Sequence, residues 1–124
     1  MLNPNVPAWF EIPVADIERA QAFYENALGV ALRRERIGDT ELAVFPYGGK
    51  PLASGALMAQ AGYTPSLDGT LVYLSVENLS TVLERTNQLG ATTLVPRTAL
   101  PPGMGWFAQF RDSEGNRVGL WSAA

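Results

Sequence analysis

The chain has 124 residues, 47% of them hydrophobic, with 9 basic and 12 acidic side chains and a net charge of −3. That is enough for one domain with its own core, and the scattered charges offer no basic stripe for a nucleic acid. With neither cysteine nor histidine, a disulfide framework, a thiol nucleophile and a Ser-His-Asp triad are all excluded.

In chain order, a strand is predicted near Pro7–Val14, followed by a helix capped by Asp16 and stopped at Gly29. Its apolar stripe reads Ile17, Ala20, Tyr24, Ala27 and Leu28. Strands are expected near Val30–Ile37, Glu41–Tyr47 and Ser54–Gln60, with turns at Gly38-Asp39 and Gly48-Gly49-Lys50-Pro51. The stretch AGYTPSLDG, residues 61–69, reads as a linker. A strand over Thr70–Val76 and a helix over Leu79–Leu89 follow, the helix with a stripe at Leu79, Val82, Leu83, Thr86 and Leu89. Three strands complete the chain, near Thr92–Val95, Gly105–Arg111 and Asn116–Ser122. Pro96–Gly105 is expected to be a long loop stiffened by Pro101-Pro102. Asp112-Ser113-Glu114-Gly115-Asn116 is expected to be a hairpin turn rather than a metal loop. Asn78-Leu79-Ser80 matches a glycosylation sequon but reads better as a helix cap.

The two halves repeat. Val14 answers Val76, Asp16 answers Asn78, Ile17 answers Leu79, and Leu28-Gly29 answers Leu89-Gly90. A period of about half the chain implies two copies of one βαβββ unit, spanning about 7–60 and 70–122 within one domain, 1–124. The opening MLNPNVPAWFEIP has neither the cationic start nor the apolar core of a secretion signal, and no apolar run approaches the ~20 residues of a membrane span. A cytoplasmic protein with no membrane partner is expected.

The segments EIPVADIERAQAFYENALG, LVYLSVENL and PPGMGWFAQFRDSEGNRVGLWS resemble the vicinal oxygen chelate superfamily, which includes glyoxalase I, the bleomycin resistance proteins and the extradiol dioxygenases. The last segment is similar to the glyoxalase-like subgroup related to lactoylglutathione lyase. The resemblance implies an α+β fold in which two tandem modules form a curved mixed sheet around a cavity, with helices outside. It also places metal ligands, in enzymatic members, at positions matching Trp9, Ala56 or a near neighbour, Leu71 and Gly119. None of these side chains can ligate a divalent ion, so no metal and no cofactor are expected.

Strand alternation from those positions assigns Trp9, Glu11, Ala56, Met58, Leu71, Tyr73, Gly119 and Trp121 to the cavity wall, with Met104 at its mouth. The opposite face, with Phe10, Ile12, Val14, Val72, Leu74, Val76, Val118 and Leu120, is uniformly apolar and belongs under the helices. The aromatic wall is either a small-molecule pocket or a plug of core side chains. Three readings follow. The first is a bleomycin-resistance-like protein binding a small, partly aromatic or amphipathic molecule. The second is a metal-independent isomerase or lyase using Glu11 as general base. The third is a dimeric interaction module with a filled cavity. A homodimer is expected, since exposed sheet edges invite a partner.

Overall fold

The computed structural model describes residues 4, 6–48 and 54–124. Ten elements follow one another: β1 (Trp9–Pro13), α1 (Ile17–Leu28), β2 (Arg33–Ile37), β3 (Thr40–Val44), β4 (Ser54–Ala59), β5 (Tyr73–Ser75), α2 (Leu79–Gln88), β6 (Thr92–Ala99), β7 (Trp106–Arg111) and β8 (Arg117–Ser122). They form two four-stranded sheets of identical topology, β1-β4-β3-β2 and β5-β8-β7-β6. In each, the first and last strands of the unit pair in parallel and the remaining pairs are antiparallel. The duplicated βαβββ unit is thus present. The expected turn at Gly48-Gly49-Lys50-Pro51 falls, from its second residue on, outside the described residues.

The helices begin and end where their caps dictate. The Asp16 carboxylate accepts from the Arg19 N–H at 3.1 Å, and Asn78 does the same for Thr81 at 3.3 Å. Gly29 ends α1 in the left-handed region at φ 68°, which glycine adopts without a Cβ penalty. The fully buried stripe of α1 is Ala20, Phe23, Tyr24 and Ala27; Phe23 joins the expected residues, and Ile17 and Leu28 pack against the core half-buried. In α2 the stripe is Leu79, Val82, Leu83 and Thr86, and Leu89 stays exposed past the helix end.

Two expectations need correction. Strand β6 continues through Pro96 to Ala99, which shortens the expected Pro96–Gly105 loop to six residues, 100–105. Pro96 is tolerated because β6 is an edge strand whose register against β7 shifts between Thr93 and Val95 and again between Val95 and Thr98. The two sheets also do not join: β1 and β5 end separate sheets instead of forming one curved sheet. The helix-bearing faces of both sheets meet in a single core in which Phe23 and Tyr24 of α1 stack near Phe110 of β7, with ring centroids 6.1 and 6.4 Å apart. Burial of both apolar faces in one core removes more surface from water than two half-sized cores would.

The β7–β8 turn holds the units together. Tyr24 donates its hydroxyl to Asp112 Oδ2 at 2.6 Å, and Asn116 Nδ2 donates to the Pro13 carbonyl at 2.8 Å. Burial, and then the Asp112 charge, push the Tyr24 phenol well above its ordinary range, so it remains the donor. Glu114 reaches the start of α1, where Oε1 accepts from the Ala15 and Asp16 N–H groups at 3.0 and 2.9 Å. Arg19 grips the same carboxylate through Nε and Nη2 at 2.8 and 2.9 Å. A helix N-terminus and a two-pronged guanidinium both favour the charged form. Burial alone would raise the Glu114 pKa, but these bonds and one from Ser113 outweigh it and hold the carboxyl at about 2.

Because the folded-state pKa lies below the unfolded one, the stability Glu114 contributes is present above about pH 4.5 and is lost as pH falls towards 2. Glu114→Gln is expected to cost roughly 2 kcal/mol near neutrality. Urea melts of both proteins between pH 7 and 2 check this. The gap between them should close as the pH approaches 2, and a gap of constant size would contradict the assignment.

Candidate functional site

Strand register sorts the side chains that point away from the helices. In the first sheet, Trp9, Glu11 and Pro13 stand beside Ser54, Ala56 and Met58, with Leu42 and Val44 next in the row. In the second, Tyr73 and Ser75 stand beside Gly119 and Trp121, which in turn oppose Gln109 and Phe107. The division between this face and the apolar helix side follows the alternation in the sequence.

The face of the second sheet is aromatic with a polar line across it. The Tyr73 ring lies over Gly119, where a Cβ would meet its Cδ1 at 2.3 Å, so only glycine fits there. Phe107 meets Tyr73 edge-on, with ring centroids 6.3 Å apart. Gln109 Nε2 donates to the Tyr73 hydroxyl at 2.7 Å, and Arg117 Nη1 donates to Gln109 Oε1 at 2.9 Å. Arg117 Nε is held by the Leu67 carbonyl at 3.1 Å. Trp121 donates its indole N–H to the Met104 carbonyl at 2.8 Å, tying the 100–105 loop to β8. Tyr73 remains 43% exposed and Met104 56%, so this face is open to solvent.

The expected cavity residues do not gather in one place. Tyr73, Gly119 and Trp121 share the second sheet, with Met104 at its margin. Trp9 and Glu11 stand on the first sheet, facing a cleft of about 360 Å³ between β1 and the 64–72 segment. Ala56 and Met58 line no opening: with Leu42 and Val44 they form a small buried cluster of their own. Leu71 is half-buried just before β5. The space expected where Gly119 lacks a side chain is filled by Tyr73. Glu11 was expected inside an apolar cavity, yet its side chain is exposed, because β1 is an unpaired sheet edge.

The four positions matched to metal ligands present indole, methyl, isobutyl and hydrogen, so their donor chemistry does not fit a divalent ion. Among the described residues no group of three or more Asp and Glu side chains is placed to hold one elsewhere.

Phe107, Gln109 and Arg117 were not foreseen on this face. The signal was present in the hairpin: folding β7 back on β8 about the Asp112–Asn116 turn sets Gln109 opposite Gly119 and Phe107 opposite Trp121. A further groove of about 900 Å³ separates β1 from β5 and α2, and is walled by Phe10, Phe45, Val72, Leu74, Val76 and Val82 among others.

Comparison with known proteins agrees with this architecture. Residues 8–45 match the family described as bleomycin resistance protein-like N-terminal. A glyoxylase-like domain-containing protein of Didymella fabae is 27% identical over 109 residues, which is 86% of this chain and 84% of that protein. Among solved structures, TnmS3, an antibiotic binding protein from Streptomyces sp. CB03234, superposes with a TM-score of 0.70 at 23% identity, covering 95% of both chains. A glyoxylase/bleomycin resistance protein/dioxygenase domain from Frankia sp. EAN1pec gives 0.69 at 24% identity, covering 94% of this chain and 96% of that one. A Zea mays glyoxalase I variant gives 0.65 at 23% identity over 94% of this chain, which spans only 45% of the maize protein. With the duplicated βαβββ topology, these matches support the resemblance to the vicinal oxygen chelate superfamily of glyoxalases and bleomycin resistance proteins and show that the chain has the glyoxalase/bleomycin resistance fold.

Proposed function

We propose that this chain is a bleomycin-resistance-like binding protein that holds a small, partly aromatic or amphipathic molecule without a metal, as a homodimer in the cytoplasm. The observation that carries this reading is the aromatic surface on the second sheet, where exposed Tyr73 stands beside half-buried Phe107 and Trp121, with the Met104 loop fixed at its margin. An aromatic face with one ring exposed and two half-buried suits a flat apolar ligand. The likeness to an antibiotic binding protein supports the same class of ligand.

The edges of the sheets support the dimer. Edge strand β2 is protected by alternating charges, with Arg33 paired to Glu35 and Arg34 and Arg36 to Glu41. Edge strand β6 is protected by its bulges and Pro96. The other two edges, β1 and β5, flank the apolar groove, and β5 carries neither charge nor proline. A second copy seated on that groove would cover both edges.

Titration calorimetry with 2-naphthol as probe tests the binding surface. Wild type is expected to bind it, and Trp121→Ala to lose on the order of 2 kcal/mol of affinity. Equal binding by both proteins would remove the aromatic face from the site. Elemental analysis of protein purified without a metal-affinity tag is expected to give substoichiometric metal, whereas one firmly held Zn²⁺, Ni²⁺ or Fe²⁺ per chain would overturn the metal-free reading. Light scattering at micromolar concentration should give twice the 13.4 kDa chain mass, and the mass of one chain would exclude the dimer.

A further inference from the structure

The cleft of about 360 Å³ between β1 and the linker carries charges of both signs on its walls, Glu11 from the first unit and Arg117 from the second. These two groups do not neutralise each other. No ion pair within 4 Å joins them, and neither pairs with any other charge among the described residues. Arg117 is nevertheless fixed. Its Nε donates to the Leu67 carbonyl, its Nη1 to Gln109, and its backbone N–H to the Ser66 carbonyl at 3.2 Å. All of these acceptors are neutral, so the full positive charge of the guanidinium remains available. On the opposite wall Glu11 stands two residues from Trp9, whose indole is 46% exposed and shares its face of β1. A carboxylate beside an open indole suits an ammonium group, which gains from both. Thr64, Ser66 and Thr70 line the same cleft and add hydroxyls that donate or accept.

We propose that this cleft binds a small zwitterion of the amino-acid type, its carboxylate on Arg117 and its ammonium on Glu11 and Trp9. The proposal goes beyond the aromatic surface of the second sheet and uses none of its ring side chains. Its failure would leave the 2-naphthol result standing, and the converse also holds.

Three compounds that share a phenylethyl group test it by calorimetry at low ionic strength: L-phenylalanine, phenethylamine, which lacks the carboxylate, and 3-phenylpropanoate, which lacks the ammonium. Wild type is expected to bind phenylalanine roughly fivefold to tenfold more tightly than either analogue, with the advantage shrinking as salt is added. Glu11→Gln, a change at an exposed side chain, should erase the advantage over 3-phenylpropanoate and keep that over phenethylamine. Arg117→Gln should do the reverse. Arg117→Lys, which keeps the charge, guards against a mere loss of folding and should retain part of the preference. Equal affinities for the three compounds, an uncrossed pattern in the variants, or no binding of phenylalanine would each overturn the proposal.

Discussion

Asp112 is the hinge pin on which the architecture turns. Its carboxylate is 5% exposed and accepts from the Tyr24 hydroxyl, the Asn116 amide and the backbone N–H groups of Glu114 and Asn116. A buried carboxylate is tolerable only when its lone pairs are met, and here one turn, closed on itself, meets most of them. The turn so formed then projects Glu114 onto the start of α1 and Asn116 onto the end of β1. Residues almost a hundred positions apart in the chain are joined by groups that can bond in one geometry only. Without this turn the two units would share a greasy interface with little to fix its orientation, since apolar contact is not directional.

That constraint decides which faces are left for function. Because the turn ties β8 to the end of β1 and the start of α1, the helix sides of both sheets are drawn into one core and the opposite faces are turned away from it. Tyr73 is exposed, and Phe107 and Trp121 only half-buried, for the same reason that Tyr24, Phe23 and Phe110 are closed. Alternation along each strand allots residues to the two faces, and the turn determines which face meets water. The exposed cleft with Glu11 and Arg117 is a by-product of the same joint, since it lies where the two units approach without merging.

Much of this was legible in the chain. The repeat, both helix caps, the hairpin at Asp112–Asn116 and the apolar side of β1, β5 and β8 all follow from period and turn chemistry, which are local. What local pattern does not carry is the relation between units. The sequence contains nothing that says whether β1 and β5 will join edge to edge, and they do not. The expected single cavity depended on that junction, so Ala56 and Met58 were assigned to a wall and lie in a buried cluster, while Glu11 was assigned to an interior and lies in solvent. Pro96 shows the same lesson on a smaller scale. Proline normally closes a strand, yet a bulged edge has no ladder bond at that position to lose.

Duplication followed by divergence explains why the two sheets, alike in topology, offer different surfaces. In both, a glycine on the last strand of the unit seats an aromatic ring from the first: Gly55 under Phe10 and Gly119 under Tyr73. In the first unit the ring and glycine face the helices, and the ring contributes to the core. In the second they sit on the opposite face, and the ring contributes to the open surface. Since neighbouring positions on a strand point to opposite sides, a one-residue offset in where the aromatic falls turns a core contact into a surface contact at no cost to the fold. The first sheet then closes its own outer face with Leu42, Val44, Ala56 and Met58, whereas the second covers its face with rings and the Gln109–Arg117 line. The open aromatic surface in this chain therefore belongs to the second unit, and the first reaches the opposite cleft through its edge, where Trp9 and Glu11 face the linker.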